Sequence, residues 1–173
     1  ILMYGIDQGK GACVIDAGPE FTIPKQLTEK YKGKVFVCYY IPDSKNLGVI
    51  RWGKNEEFGV VRADRTKIFD LVSTEITQQK LLFRQQPREL DAYISHWENV
   101  YRTTEVNDKT GIERGVWATQ DNKPDHYTHG TAYMRMALSR IQGMTFGTDF
   151  AEPSQKSDDK VDYVDSEGQL HTD

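Results

Sequence analysis

The 173-residue chain is poor in the features that mark several large functional classes. It has two cysteines, Cys13 and Cys38, each inside an apolar β-like run. Thiols in such runs point to buried free cysteines in a reducing compartment, not to a disulfide. Neither has a Cys or His close by in sequence, which argues against a zinc site. No apolar run approaches the roughly 18 residues of a membrane span. The apolar start is too short for a signal peptide and lacks its basic flank. Gly5-Ile6-Asp7-Gln8-Gly9-Lys10 has neither the Walker A spacing nor the Ser or Thr after its lysine. There is no dinucleotide glycine fingerprint and no Ser/His/Asp signature. Nucleotide-driven and side-chain-nucleophile chemistries are therefore disfavoured.

What is present is one soluble domain with enough chain for a real core. The net charge of −4 hides an asymmetry. Residues 1–147 carry 20 Lys and Arg against 18 Asp and Glu, a balance of +2, and residues 148–173 carry 2 against 8, a balance of −6. A mildly basic body is compatible with nucleic acid without demanding it. Residues 1–147 read as the domain and residues 148–173 as an acidic, flexible tail.

Two apolar runs end in an acid flanked by glycine: Leu2-Met3-Tyr4-Gly5-Ile6-Asp7 and Ala12-Cys13-Val14-Ile15-Asp16. As parallel neighbours they would bring both carboxylates to one sheet edge, where α/β folds place their sites. A parallel pair needs a crossover of about a dozen residues or more. Only eight residues separate Asp7 from Asp16, so a hairpin centred on Gly9-Lys10-Gly11 is the alternative. Thr22–Lys32 reads as a helix capped by Thr22 and ended by Gly33, with Ile23, Leu27 and Tyr31 on one stripe. Lys34–Ile41 reads as a core strand, which makes residues 12–41 a strand–helix–strand unit with a parallel pair. Val49–Trp52 and Phe58–Arg62 form a predicted hairpin, after which Asp64 caps a helix carrying Ile68, Leu71, Val72 and Ile76. Lys80–Arg84 reads as a short strand, and Pro87 opens a helix with Leu90, Tyr93, Ile94 and Trp97 on its apolar stripe. Val100–Val106 and Ile112–Thr119 flank Asn107-Asp108-Lys109-Thr110-Gly111 as a second hairpin. A last helix is predicted to start near Asn122 or Lys123, with Asp125 in its first turn and His129 one turn on.

Asp7, Asp16 and Asp125 are the candidate catalytic and metal-binding residues. Two hard cations about 4 Å apart need several shared carboxylates, and such a pair cleaves a phosphodiester with water as nucleophile. His126 and His129 are candidate ligands, proton carriers or phosphate contacts, and Glu20 is a weaker supporting candidate. Each also has a plain reading as a turn, cap or solvated residue. Arg51, Lys54, Arg62, Arg65 and Lys67 are candidate DNA contacts.

Gly5-Ile6-Asp7-Gln8-Gly9, Cys13–Glu20 with the following helix and the Val35–Tyr40 strand resemble the nuclease domain of tailed-bacteriophage large terminase subunits. So do Arg62-Ala63-Asp64-Arg65-Thr66-Lys67 and Lys123-Pro124-Asp125-His126-Tyr127-Thr128-His129-Gly130. The resemblance covers roughly residues 1–142 and rests on the order and spacing of these motifs together. It implies an α/β, RNase H-like three-layer fold, with a central mixed β-sheet flanked by helices and a β-hairpin insertion at residues 100–119. It implies a two-metal (Mg²⁺ or Mn²⁺) endonuclease that cuts concatemeric double-stranded DNA at the start and end of genome packaging. Asp7 would match the first-strand acid, Asp16 that of the fourth strand and Asp125 that of the last helix. The implied partners are DNA, the ATPase domain of the same protein (not contained in this sequence), the portal and the small terminase subunit, with no membrane. The implied location is the host cytoplasm, transiently at the procapsid portal. The resemblance departs between Asp7 and Asp16, where that fold carries two more strands and a helix. A junction resolvase or integrase core, or a non-catalytic DNA- or portal-docking module, are the alternatives.

Overall fold

The structure, a computed structural model, describes residues 11–18, 20–41, 48–53, 59–81, 87–106, 108, 110–142, 163–164 and 170–171. Strand β1 is Cys13–Asp16, helix α1 Thr22–Lys30 and strand β2 Val35–Ile41. Strands β3 (Ile50–Trp52) and β4 (Val60–Asp64) precede helix α2 (Arg65–Thr77). Helix α3 is Pro87–Glu98, strands β5 and β6 are Val100–Val106 and Glu113–Thr119, and helix α4 is His126–Gln142. The chain is thus α/β, with a mixed sheet in the order β1-β2-β4-β3. β1, β2 and β4 run parallel, and β3 runs antiparallel to β4. β5 and β6 form a separate antiparallel hairpin.

The sheet is covered on both faces, which explains why β2 reads as a continuous apolar run. Val35 to Cys38 are all buried. Phe36 and Cys38 join the cluster formed with Val14, Val61, Ala63, Ile68, Phe69, Ala132 and Met136, on the face that α2 and α4 cover. Alternation along a strand sends Val35 and Val37 to the other face, where α1 packs on β2. That second contact is close. Gly59, at φ +94°, lies where a Cβ would collide with the Thr28 methyl of α1, so only glycine meets both the backbone and the steric demand.

The strand–helix–strand unit is as the sequence predicts, including the positive φ of Gly33 after α1. Its helix start differs. Thr22 is the first helical residue, not the cap: Phe21 holds the cap position without a side-chain hydrogen bond, and Glu20 accepts from the Thr22 N–H at 3.0 Å. α1 also rides the sheet lightly, with Ile23 exposed. Asp64 does cap α2, accepting from the Lys67 N–H at 3.1 Å. On α3, Leu90, Tyr93 and Trp97 are half-buried, and Ile94 is exposed and does not belong to that stripe. Both predicted hairpins form.

Helix α4 is the element fixed most firmly. Arg135 donates to Glu75 of α2 at 2.7 and 2.9 Å, both side chains being nearly buried. The Thr128 hydroxyl donates to the His96 carbonyl at 3.0 Å, and Thr131 and Tyr93 hydroxyls meet at 3.0 Å, which ties α4 to α3. The predicted Lys80–Arg84 strand lies largely outside the described residues. So does the acidic tail, apart from a short antiparallel ladder between Tyr163–Val164 and Leu170–His171.

Candidate functional site

β1, β2 and β4 end at one edge of the sheet, and their last residues bring the chemistry there. Asp16 closes β1 and is exposed. Tyr40 sits one residue before the end of β2, and Arg65 follows the last residue of β4. Opposite them α4 begins. Its start is one residue beyond Asp125, whose carbonyl accepts from the Thr128 and His129 N–H groups at 3.0 and 3.2 Å. The helix therefore starts later than the sequence predicts, and Asp125 precedes its first turn instead of lying within it.

Asp16 and Asp125 line one cavity of about 370 Å³, with Tyr40, His126, His129, Gly130 and Tyr133. Gly18 lies beneath the first of these carboxylates: a Cβ there would stand 3.3 Å from Asp16 Oδ2. The second carboxylate is held through a single oxygen. The Thr119 hydroxyl donates to Asp125 Oδ2 at 2.7 Å, His129 Nε2 lies 3.3 Å away and Arg65 Nη2 3.8 Å away. Burial alone would raise the Asp125 carboxyl, but the Thr119 hydrogen bond and the nearby His129 and Arg65 override it. They hold the group below its ordinary value, so it is ionised at neutral pH.

Burial pushes His129 the other way from Asp125's pull and keeps the imidazole below its ordinary value. A neutral ring beside an acceptor-only carboxylate must carry its hydrogen on Nε2. Nδ1 is then an acceptor, and the Tyr40 hydroxyl is 3.1 Å from it. Burial and the neighbouring Tyr133 raise Tyr40, so it keeps the proton it donates. Tyr40 stacks on Tyr133, with ring centroids 5.9 Å apart. Burial, followed by the Asp16 charge, raises Tyr133 as well. Protonated tyrosines and a neutral histidine thus link the surroundings of the two carboxylates.

A second cavity of about 490 Å³ adjoins the first and shares Tyr40 with it. Its lining includes Arg65, Lys67, Arg102 and Arg114, with Asp64 and Asp70. The β5–β6 hairpin forms one wall. It is latched to α2 by Trp117 Nε1, which donates to Asp70 at 2.7 Å, and by Arg102, 3.2 Å from the same carboxylate.

The other predicted residues fall as follows. His126 lines the first cavity and faces His96, with ring centroids 5.8 Å apart. Glu20 sits at the start of α1 and does not line that cavity. Arg65 and Lys67 line the second cavity. Arg51 and Arg62 are cross-strand partners on β3 and β4, away from both linings. Asp7 and Lys54 lie outside the described residues. Among the described residues no group of three or more His, Cys, Asp or Glu is placed to hold a metal ion. Sequence reasoning passed over Tyr40, Tyr133 and Thr119. Tyr133 had a signal, since it follows His129 by four on the same helix face. Thr119 had none, because its partners are six and 54 residues away.

No protein-family model, no curated protein and no solved structure matches the chain.

Proposed function

We propose that the chain is a metal-dependent DNA endonuclease domain with an RNase H-like fold, of the kind found in the large subunit of a viral DNA-packaging motor. The observation that carries this reading is that Asp16 and Asp125, 109 residues apart in sequence, line one cavity at the edge where three parallel strands end. Their donor chemistry suits Mg²⁺ or Mn²⁺, which favour carboxylate oxygens. Asp125 leaves Oδ1 without a protein partner among the described residues, since Thr119, His129 and Arg65 all meet Oδ2. Asp16 is exposed at the cavity. Two carboxylates are fewer than a two-metal centre needs, and Asp7 is the proposed third.

On this reading Asp16 and Asp125 would hold the cations, which when bound would supply charge neutralisation at the phosphodiester and an activated water. Thr119 and His129 orient Asp125 by fixing Oδ2. Tyr40 fixes the His129 ring by donating to Nδ1. Tyr133, stacked on Tyr40, lines the wall between the carboxylates. The basic second cavity lies where the flanking DNA backbone would run. The partners proposed with this reading are double-stranded DNA, an ATPase domain of the same protein, the portal and the small terminase subunit. The proposed location is the host cytoplasm, transiently at the procapsid portal.

The test is cleavage of linear, supercoiled and four-way-junction DNA in Mn²⁺ by the parent and by Asp7→Asn, Asp16→Asn and Asp125→Asn. The reading expects cutting of duplex DNA that each substitution abolishes. Equal cutting by all three variants overturns it. A preference for junctions transfers the site to a resolvase. A parent that binds DNA and never cuts it is a docking module.

A further inference from the structure

Arg65 stands where the two cavities meet. It opens α2, lines the larger cavity, and reaches the carboxylate of the smaller one, with Nη2 3.8 Å from Asp125 Oδ2. A guanidinium offers five N–H donors in a fixed plane. Here one hydrogen bond is made, from Nη2 to the Thr119 hydroxyl at 3.3 Å. The Nε is buried without a hydrogen-bond partner among the described residues. A buried donor left unmade is costly, and such a group calls for an explanation, a missing ligand being one. The guanidinium carbon sits 5.3 Å over the ring of Phe69, which is fully buried, while the side chain stays 35% exposed.

The spare donors suit a particular ligand. A planar fork matches paired oxygens on phosphate or carboxylate. The cavity around it carries Arg65, Lys67, Arg102 and Arg114 against Asp64 and Asp70, so it favours an anion. The neighbouring cations have acids of their own: Lys67 with Asp64, Arg102 with Asp70, Arg114 with Glu105. Arg65 differs from these three in having a buried nitrogen, Nε, without a hydrogen-bond partner among the described residues.

We propose that Arg65 binds a phosphate group and holds it between the basic cavity and the Asp16/Asp125 cavity. Resting on the nuclease reading, that phosphate is a backbone phosphodiester of the DNA, at or next to the bond to be cut. Arg65 then binds the substrate directly, in addition to its contact with Asp125.

The experiment measures binding of a fluorescein-labelled DNA duplex by anisotropy in EDTA, across a salt series, for the parent, Arg65→Met, Arg65→Lys and Lys30→Met. Competition with inorganic phosphate runs alongside, and melting curves confirm folding. The expected result is about a tenfold weaker affinity for Arg65→Met, consistent with loss of a charge-assisted hydrogen bond. Its salt slope should fall by about one. Arg65→Lys should lie between, keeping charge without the fork. Lys30→Met removes an exposed charge of the same sign on α1, away from both cavity linings, and should leave duplex affinity in EDTA within about twofold. Affinity and salt slope unchanged in Arg65→Met overturn the proposal. So does an equal loss in Lys30→Met, which would make the effect one of overall charge and not of Arg65. Inorganic phosphate displacing the duplex at equal phosphate concentration would assign the site to free phosphate and overturn the DNA assignment. Cleavage that survives Asp16→Asn and Asp125→Asn would sink the nuclease reading while leaving the binding result to stand or fall alone.

Discussion

The two adjoining cavities are built in opposite ways. The smaller, acidic one has walls from strand ends and from α4, which a nearly buried Arg135–Glu75 pair and two threonine hydroxyls lock in place. The larger, basic one leans on a hairpin whose first strand is mostly exposed and whose ties to α2 are side-chain contacts, Trp117 and Arg102 on Asp70 and Arg65 on Thr119. On the nuclease proposal, the buried ties fix the spacing of the carboxylates and the more exposed hairpin meets the DNA backbone. The walls should therefore respond differently to substitution: the acidic one through stability and chemistry together, the basic one through binding with little change in stability.

The largest contrast is in activity. Asp16→Asn and Asp125→Asn should remove DNA cleavage by more than the roughly 10–100-fold that losing a mere supporting group costs a metal site. The hairpin substitution Arg114→Ala should leave cleavage at saturating DNA near the parent's, read as an unchanged kcat with a raised KM. Stability gives the next contrast. Phe69→Ala, in the core behind the acidic cavity, should cost about 3–5 kcal/mol in denaturant unfolding. Glu75→Ala should cost about 3 kcal/mol by stranding Arg135. Trp117→Phe removes one hydrogen bond to Asp70 and should cost about 1 kcal/mol. Arg114→Ala, breaking an exposed pair with Glu105, should cost less than about 1 kcal/mol. If the hairpin changes cost as much as Phe69→Ala, the contrast between the walls is wrong.

The pH response is smaller. Folding keeps His129 uncharged and so lowers its pKa from the unfolded value of about 6.5. Above that pH the group is neutral in both states and contributes nothing. As pH falls below about 6.5 the unfolded chain takes the proton first, so stability drops. Asp125 works in the same direction at lower pH. Its depressed carboxyl stabilises the fold above the unfolded value of about 3.9, and that contribution disappears as pH falls through the folded value. Melting curves of the metal-free protein should therefore shift down between pH 7 and pH 5, and His129→Gln should flatten that segment. The slightest effect is at the thiols. Burial pushes Cys38 up to about 12, so at pH 8 a thiol reagent should label Cys13 slowly and Cys38 only after denaturation.

Much of the scaffold was legible because its signals are local. Asp64 precedes a helical apolar period and caps it. Asn107–Gly111 interrupts two β-like runs and marks the hairpin. Asp16, ending an apolar run before Ala17-Gly18, was legible as a strand-tip acid, and so was the i,i+4 pairing of Asp125 with His129. What stayed hidden depends on tertiary contact. Arg135 looks like any solvated helix cation until Glu75, 60 residues away, meets it. Tyr40 reads as core, and only the placement of α4 turns its hydroxyl toward His129. Asp125 was expected inside the helix because Pro124 suits a first turn, yet its carbonyl takes the first helical N–H groups and frees its side chain for Thr119, His129 and Arg65.

The shared cavity of Asp16 and Asp125 is the centre of the functional account, and a crystal of the protein soaked in Mn²⁺ tests it most directly. An anomalous peak touching both Asp16 and Asp125 Oδ1 is the predicted result. Full Mn²⁺ occupancy elsewhere, with both carboxylates bare, would contradict it.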